Sequence, residues 1–448
     1  MAHSSSRFSY SADHLRQLID DVLAYARRQG ASAAEAEVSE GFGQSVTVRR
    51  GAVETIEYNR DKGLGVTVYL GQQKGYASTS DLSPNATRET VDAALNIARF
   101  TAPDPCAGLP EAELLARSSP DLDLYHPWAI SVEGCIELAQ RCEQAAFAVS
   151  PLISNSEGAT VSMQEGQFVT ANSLGFAGGY PSSRHYLACS VIAGEQDSMQ
   201  RDDWYSTARD PADLAPAEAI GDYAARRALA RRGARKIKTG VVPVILEAPL
   251  ACTLIGNFVH AASGGSLYRK ASFLLDQLDK PVFSDIVRIS ERPFLAKGLA
   301  SGAFDSDGVA THDREVVEAG ILRGYFLSTY TARKLGMAPT GNAGGCHNLI
   351  VEAGTDDLDA LIRRMGRGLL VTELLGHGVN YVTGDYSRGA AGYWVEGGRI
   401  RHPVEEITIA GNLRDMLRGI VAVGNDQVIR GSKRCGSILI DRMKLAGS

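Results

Sequence analysis

At 448 residues the chain is longer than one hydrophobic core usually sustains, which sets two domains as the expectation. A formal charge of −6, from 46 basic residues interspersed among 52 acidic ones, excludes the basic surface of a nucleic-acid binder. Seven cysteines, odd in number and without a Cys-x-x-Cys pair, exclude a disulfide framework and a zinc ribbon and fit reduced thiols.

Residues 1–7, Met-Ala-His-Ser-Ser-Ser-Arg, lack the apolar core of a signal peptide, and no run of 18 apolar residues follows. A cytoplasmic protein that does not span a membrane is expected. Asp13 can cap a helix whose apolar positions Leu15, Leu18, Ile19, Val22, Leu23 and Ala26 recur at helical spacing up to Gly30. Alternating segments then predict an antiparallel meander: 45–49, 53–58, 64–70 and 74–79, with turns at 50–51 and 71–73. A helix over 87–102 presents Val91, Ala94, Leu95 and Ala98 on one face, ready to cover that sheet.

The Pro-, Ala- and Asp-rich stretch 101–127 reads as a connection. Helical spacing resumes over 132–149, alternating strands fill 158–205 with turns at 165–166 and 178–179, and a helix spans 217–234. Its arginines at 226, 227, 231, 232 and 235 read as a solvated basic face. Residues 236–240 mark a boundary, giving domains 1–235 and 236–448. Beyond it come an apolar strand 241–246, a helix 249–262 stopped by Gly264-Gly265, a hairpin turning at 318–320 and returning over 321–327, and a polar, basic segment at 330–334. A helix 356–366, a buried strand 368–375, a hairpin about Gly397-Gly398 and a last strand 435–440 complete the chain. No period of 20–50 residues repeats, so a solenoid or propeller is not expected. The fold class is α+β: two mixed domains with largely antiparallel sheets, the C-terminal one β-rich.

The stretch 299–345 gathers the most distinctive motifs: Asp-Ser-Asp-Gly-Val at 305–309, Ala-Arg-Lys-Leu-Gly at 332–336 and Thr-Gly-Asn-Ala-Gly-Gly at 340–345. Downstream follow Gly-Asp-Tyr-Ser-Arg-Gly-Ala at 384–390, Gly-Tyr-Trp-Val-Glu-Gly-Gly at 392–398 and Pro-Val-Glu-Glu-Ile-Thr-Ile-Ala-Gly-Asn-Leu at 403–413. With these motifs the chain resembles the TldD/PmbA family, on its PmbA (TldE) side. The resemblance implies a two-subunit assembly with an enclosed cavity and a zinc-dependent peptidase that trims modified peptide precursors and degrades small unfolded proteins. The TldD branch of the family carries a His-Glu-x-x-x-His helix directly after the strand that corresponds to 241–246. Here that motif falls on Gly256, Asn257 and Ala261, so both ligands and the base are missing. His260 lies one residue from the second ligand position, and a one-residue slip turns a helical side chain by about 100°. The resemblance therefore implies no cofactor in this chain and zinc in a TldD-type partner, with a heterodimer expected and a homodimer open when the chain is alone.

Other chemistry reads weakly. Asp305 and Asp307, with His312, could attract a cation, but Asp and Gly at that spacing suit a turn. Adjacent Cys346 and His347 would point to opposite faces of a strand, which argues against a dyad. Cys435 lies roughly where the TldD branch has a metal-binding cysteine, without histidine partners. The Ala-Asn-Ser-Leu-Gly run at 171–175 lacks the strand-to-helix context of a nucleophile elbow, and the Gly-rich runs lack the Lys-Ser/Thr of a phosphate loop. What remains is a set suited to holding an extended peptide or a partner: Asp305, Asp307, Tyr330, Arg333, Lys334, Asn342, Tyr386 and Trp394, with Tyr325 and Tyr393 beside them. Core packing of the aromatics is the competing reading. Two further functions stay open: a non-enzymatic regulator, including the gyrase-modulator role attached to the family, and an independent peptidase with an unrecognised site.

Overall fold

The computed structural model describes residues 7–447, so the polar run at 1–6 lies outside the described residues. The first half contains one six-stranded antiparallel sheet made from two copies of the same α-βββ-α unit. The first unit is α1 (Ala12–Arg28), β1 (Ala33–Arg49), β2 (Ala52–Leu70), β3 (Gln73–Thr79) and α2 (Pro84–Phe100). The second is α3 (Val132–Val149), β4 (Ile153–Asn172), β5 (Ala177–Ala193), β6 (Gln200–Ala208) and α4 (Ala217–Ala230). They join through β1 and β4, giving the order β3-β2-β1-β4-β5-β6.

Period-two burial explains how the strands sit. Ala34, Ala36 and Val38 of β1 are buried under α1 and α2, while Val46 and Val48 of the same face lie under α3 and α4. Each fully buried Leu or Ile, such as Leu15 and Ile19 of α1, contributes about 1.5–3 kcal/mol of transfer free energy. The opposite face of the sheet carries no helix of its own and turns toward the second half of the chain. Ser11, not Asp13, caps α1 by accepting from the His14 N–H.

The strands are longer than alternation alone suggests. Segments 53–58 and 64–70 are one strand, because β1 pairs with β2 along its whole length and carries the chain through the polar middle. The turns expected at 165–166 and 178–179 are absent: Gly166 pairs with Gly41 inside the ladder, Gly178 and Gly179 pair with β4, and the reversal lies at 173–176. Glycine inside a strand here marks close backbone approach, not a turn.

The second half opens with β7 (Gly240–Leu246), α5 (Ala248–Ala261) and α6 (Gly264–Tyr268), so Gly264 begins a helix where a stop was expected. Then come β8 (Ile289–Glu291), β9 (Arg314–Glu318), β10 (Ile321–Leu322), α7 (Thr329–Leu335) and β11 (Leu349–Val351). The chain finishes with α8 (Leu358–Met365), β12 (Arg367–Leu375), β13 (Asp385–Glu396), β14 (Arg399–Asn412), α9 (Leu413–Arg418), β15 (Ile420–Val423), β16 (Val428–Arg430), β17 (Lys433–Cys435) and β18 (Ile438–Ala446).

Strands β14-β13-β12-β7-β18 close on themselves through β14–β18 pairing into a small barrel, with β15 appended to β18. Its strands are antiparallel except for β7 and β12. A second small sheet, β10-β9-β8-β11-β17-β16, packs with α5 into the same core. The return strand of the hairpin is only two residues long, because after Leu322 the chain turns inward to bury Tyr325, Phe326 and Leu327. The segment at 330–334 is helical within α7, and the expected last strand is split by Gly436 and Ser437.

Candidate functional site

Loops at 299–306 and 343–347 face the helix-free side of the first sheet and enclose with it a cleft of about 560 Å³. Three sets of side chains hold the loops there. Phe304 packs edge-on against Phe176 at 5.2 Å and Phe168 at 6.2 Å, with Tyr180 at 6.0 Å, so an aromatic cluster seals one end. Arg209, just beyond β6, donates to the carbonyls of Leu299 at 2.9 Å and Ser183 at 3.1 Å. Asp305 is 4% exposed; its Oδ1 accepts from the N–H groups of Asp307 and Val309, and its Oδ2 from that of Ala343 at 2.8 Å. Burial, the larger effect, and the charge of Asp307 push its pKa up to about 7 against those donors.

The floor is glycine backbone where Gly41 and Gly166 pair across β1 and β4, with the Asp61 carboxylate lying over Gly41 and Gly166 left uncovered by any side chain. A Cβ on Gly166 would meet only the Glu40 carbonyl, at 3.6 Å. The lip carries Gly344 and Gly345 at φ of +100° and +130°, a region that glycine alone enters without strain. Glu37 and Asp61 add carboxylates to the rim, and burial raises the Glu37 pKa. Cys346 and His347 also line the cleft but form no dyad. The Cys346 thiol, pushed up by burial, lies 3.2 Å from the Ser432 hydroxyl, and the His347 ring nitrogens face the carbonyls of Ala300 and Gly341.

The predicted set divides in three. Asp305 lines the cleft, and Asp307 sits behind it, accepting from the Thr329 N–H at the start of α7. Asn342, 5% exposed, joins a buried network: its Nδ2 donates to Glu291, and its Oδ1 accepts from Arg314, which also pairs with Glu291 at 2.6 Å. Tyr330, Arg333 and Lys334 lie on α7 and hold the connection 104–111: Tyr330 and Lys334 reach Asp104, and Arg333 reaches Glu111 and the Leu109 carbonyl. Tyr386 and Trp394 stand apart on β13, Tyr386 in the core and Trp394 under the Arg367 guanidinium. Sequence reading missed Arg209, Glu291, Arg314 and the three phenylalanines, which come from distant parts of the chain. Glycines at alternate positions, Gly41 and Gly43, were the one local signal for a flat strand surface.

On α5, Gly256 faces the Lys433 side chain, whose Cε is 3.5 Å from where a Cβ would sit. The Asn257 Oδ1 accepts from the Tyr381 hydroxyl at 2.9 Å, Ala261 is buried, and His260 stacks on Tyr381 at 4.0 Å. Among the described residues no three His, Cys, Asp or Glu side chains converge. A methylene stem, an amide whose oxygen is already bonded and a methyl group do not fit a zinc ion, which takes imidazole, thiolate or carboxylate.

An α+β chain with a closed barrel behind a sheet built from two α-βββ-α units belongs to the PmbA/TldD metallopeptidase family. Family models for PmbA/TldA metallopeptidase domain 1, the central domain and the C-terminal domain match residues 34–98, 125–232 and 239–447. Within that family the chain is 39–50% identical to proteins of the PmbA type, and 22–24% identical to TldD homologs. The metalloprotease PmbA of Escherichia coli O157:H7 is 50% identical over 414 residues, 92% of each chain. The PmbA homolog of Haemophilus influenzae is 47% identical over 447 residues, 100% of this chain and 99% of its own. Among solved structures, a Bacteroides thetaiotaomicron protein described as a candidate modulator of DNA gyrase superposes with a TM-score of 0.92. It is 27% identical and covers 98% of this chain and 100% of its own.

Proposed function

We propose that this chain is the substrate- and partner-binding subunit of a cytoplasmic PmbA/TldD-type peptidase, and that zinc and the general base belong to a TldD-type partner. The observation that carries this reading is the composition of α5, where Gly256, Asn257 and Ala261 stand at the positions of a zinc-peptidase motif and Lys433 lies over the first of them. The cleft supplies what an extended peptide needs: uncovered backbone at Gly166 on the floor, an aromatic wall and the carboxylates of Glu37 and Asp61. Modified peptide precursors and small unfolded proteins are the substrates this reading assigns. The division at 235/236 into two domains belongs to the same reading, with the cleft between them.

In this reading the residues of this chain perform no hydrolytic step. Their work is to bind and orient: Gly166 admits a peptide backbone, the Asp61 carboxylate over Gly41 can accept from its N–H groups, and Phe168, Tyr180 and Phe304 take an apolar side chain. The test is zinc per chain by elemental analysis on the purified protein offered zinc and desalted, followed by hydrolysis of an unstructured peptide with and without a TldD-type chain. The reading expects near-zero zinc and hydrolysis only in the mixture. One tightly held zinc per chain, or chelator-resistant hydrolysis by the chain alone, would overturn it.

A further inference from the structure

A second cavity, of about 400 Å³, is enclosed by the start of β1, the connection 101–110 and the start of α7. It adjoins the cleft. Glu35 on its wall and Glu37 in the cleft are two residues apart on one face of β1, about 7 Å along the strand. The loop 305–307 gives Asp305 to the cleft and Asp307 to the cavity.

The walls hold charge that the protein does not pair. Asp104 is taken by Lys334 and Tyr330. Glu35, half-buried, accepts from the Tyr69 hydroxyl at 3.1 Å, and Asp307 accepts from the Thr329 N–H at 2.8 Å. The ion pairs of this wall, Lys334 with Asp104 and Arg333 with Glu111, use neither carboxylate, and neither has a cation within ion-pair distance among the described residues. Burial raises the Glu35 pKa first of all; Lys74 lowers it and the Asp307 charge raises it further, so the two carboxylates feel one another. Thr329, 3% exposed, belongs to the same wall, and its buried hydroxyl has no hydrogen-bond partner among the described residues. Buried polar groups are nearly always bonded, so this one marks the place of a group from outside.

We propose that this cavity binds a primary ammonium group, held by the Glu35 and Asp307 carboxylates and the Thr329 hydroxyl. The inference rests on the cavity and not on the peptidase reading.

The chemistry of the wall selects the ligand. A primary ammonium carries three N–H donors and one positive charge, which matches two carboxylates and one hydroxyl oxygen. A bare metal ion asks for more, since no three His, Cys, Asp or Glu side chains converge among the described residues. An anion would meet two carboxylates and one exposed cation, Lys74, whose Nζ stands 5.9 Å from the centre of the Tyr69 ring. The volume exceeds what an ammonium alone fills and admits the short chain that bears it. Two sources carry such a group into a space beside the cleft: the amino terminus of a peptide and a lysine side chain.

The test is isothermal titration calorimetry of the full-length chain with three peptide amides. Ala-Ala-Ala amide offers a terminal ammonium, N-acetyl-Ala-Lys-Ala amide offers one on a side chain, and N-acetyl-Ala-Ala-Ala amide offers none. At least one of the first two is expected to bind tenfold or more tightly than the third, and which one does so identifies the source. Glu35→Gln keeps the size of the side chain and is expected to weaken that binding about tenfold, with unchanged circular dichroism and no fall in melting temperature, because it removes a desolvated charge. Thr329→Val keeps the β-branched shape and is expected to weaken it by a similar factor. Lys74→Met removes the competing cation and is expected to tighten it about threefold. Equal binding of all three peptides, wild-type affinity in Glu35→Gln, or loss of binding in Lys74→Met, which would assign the cavity to an anion, would each overturn the proposal.

Discussion

Glu291 is 2% exposed and holds three groups at once: the Arg314 guanidinium, the Asn342 amide and the His347 N–H. Removing it would leave Arg314 charged and short of its partner in the core. Glu291→Ala is therefore expected to lower unfolding free energy by about 3–5 kcal/mol in urea titrations, with Glu291→Gln retaining part of the loss. Asp305 gives a pH signature. Its folded pKa of about 7 lies above that of the unfolded chain, so between roughly pH 4 and 7 the native state binds more protons. This residue's contribution to stability consequently falls as pH rises through that window. Asp305→Asn is expected to flatten that slope, read as the difference between wild-type and variant unfolding free energies at pH 5 and pH 8. Asp305 comes from the stretch singled out in the sequence, Glu291 from just before it where nothing was expected, and the work of both is to shape the loops beside the cleft. That work was not legible, because burial and partner identity depend on residues about 50 positions away.

At the level of elements, α7 acts as a clamp. Arg333 donates to the carbonyls of Cys106, Gly108 and Leu109 and pairs with Glu111, while Asp104 is pulled down to about 2 by the Cys106 N–H, then by Lys334 and Tyr330. Arg333→Ala is expected to expose 104–111 to limited proteolysis while the melting temperature changes little, since three of the lost bonds go to a surface loop. The longer helices were the most legible elements: the expected helix 132–149 coincides with α3, and α1, α2, α4, α5 and α8 differ from expectation by a few residues at their ends, while the short α6, α7 and α9 were not anticipated. Strands were less so. Alternation fails at Gly41, Gly43 and the polar middle of β2, where pairing with neighbours, not side-chain burial, keeps the chain extended.

Across the whole molecule, the two halves meet through ions as well as through the cleft. Arg227 of α4 bonds Asp202 of β6 at 3.0 Å and Glu247, just before α5, at 2.6 Å, and Arg231 pairs with Glu373 of β12. These arginines had been assigned to a solvated face. Both side chains are only 12% exposed because the barrel covers that side of α4. Arg227→Ala, which leaves Glu247 buried without its cation, is expected to cost about 3–5 kcal/mol and to separate the unfolding of the halves in calorimetry. The cleft itself is tested by Gly166→Val. The added Cβ meets only the Glu40 carbonyl, at an ordinary 3.6 Å, so stability should hold, while affinity for an unstructured peptide, followed by fluorescence anisotropy, is expected to drop about tenfold.

Local periodicity and motifs contiguous in the chain suffice for the α+β class, the family, the six longest helices (α1 to α5 and α8) and the lack of a histidine pair on α5. Only the tertiary structure decided which polar residues are buried, that the barrel closes through β14 and β18, and that the cleft forms where β1, β4 and β5 face loops more than a hundred residues downstream. Period-two and period-3.6 patterns report which side of an element is apolar. They carry no information about which distant surface covers it, and that covering fixes the charge state of Asp305 and the pairing of Arg227.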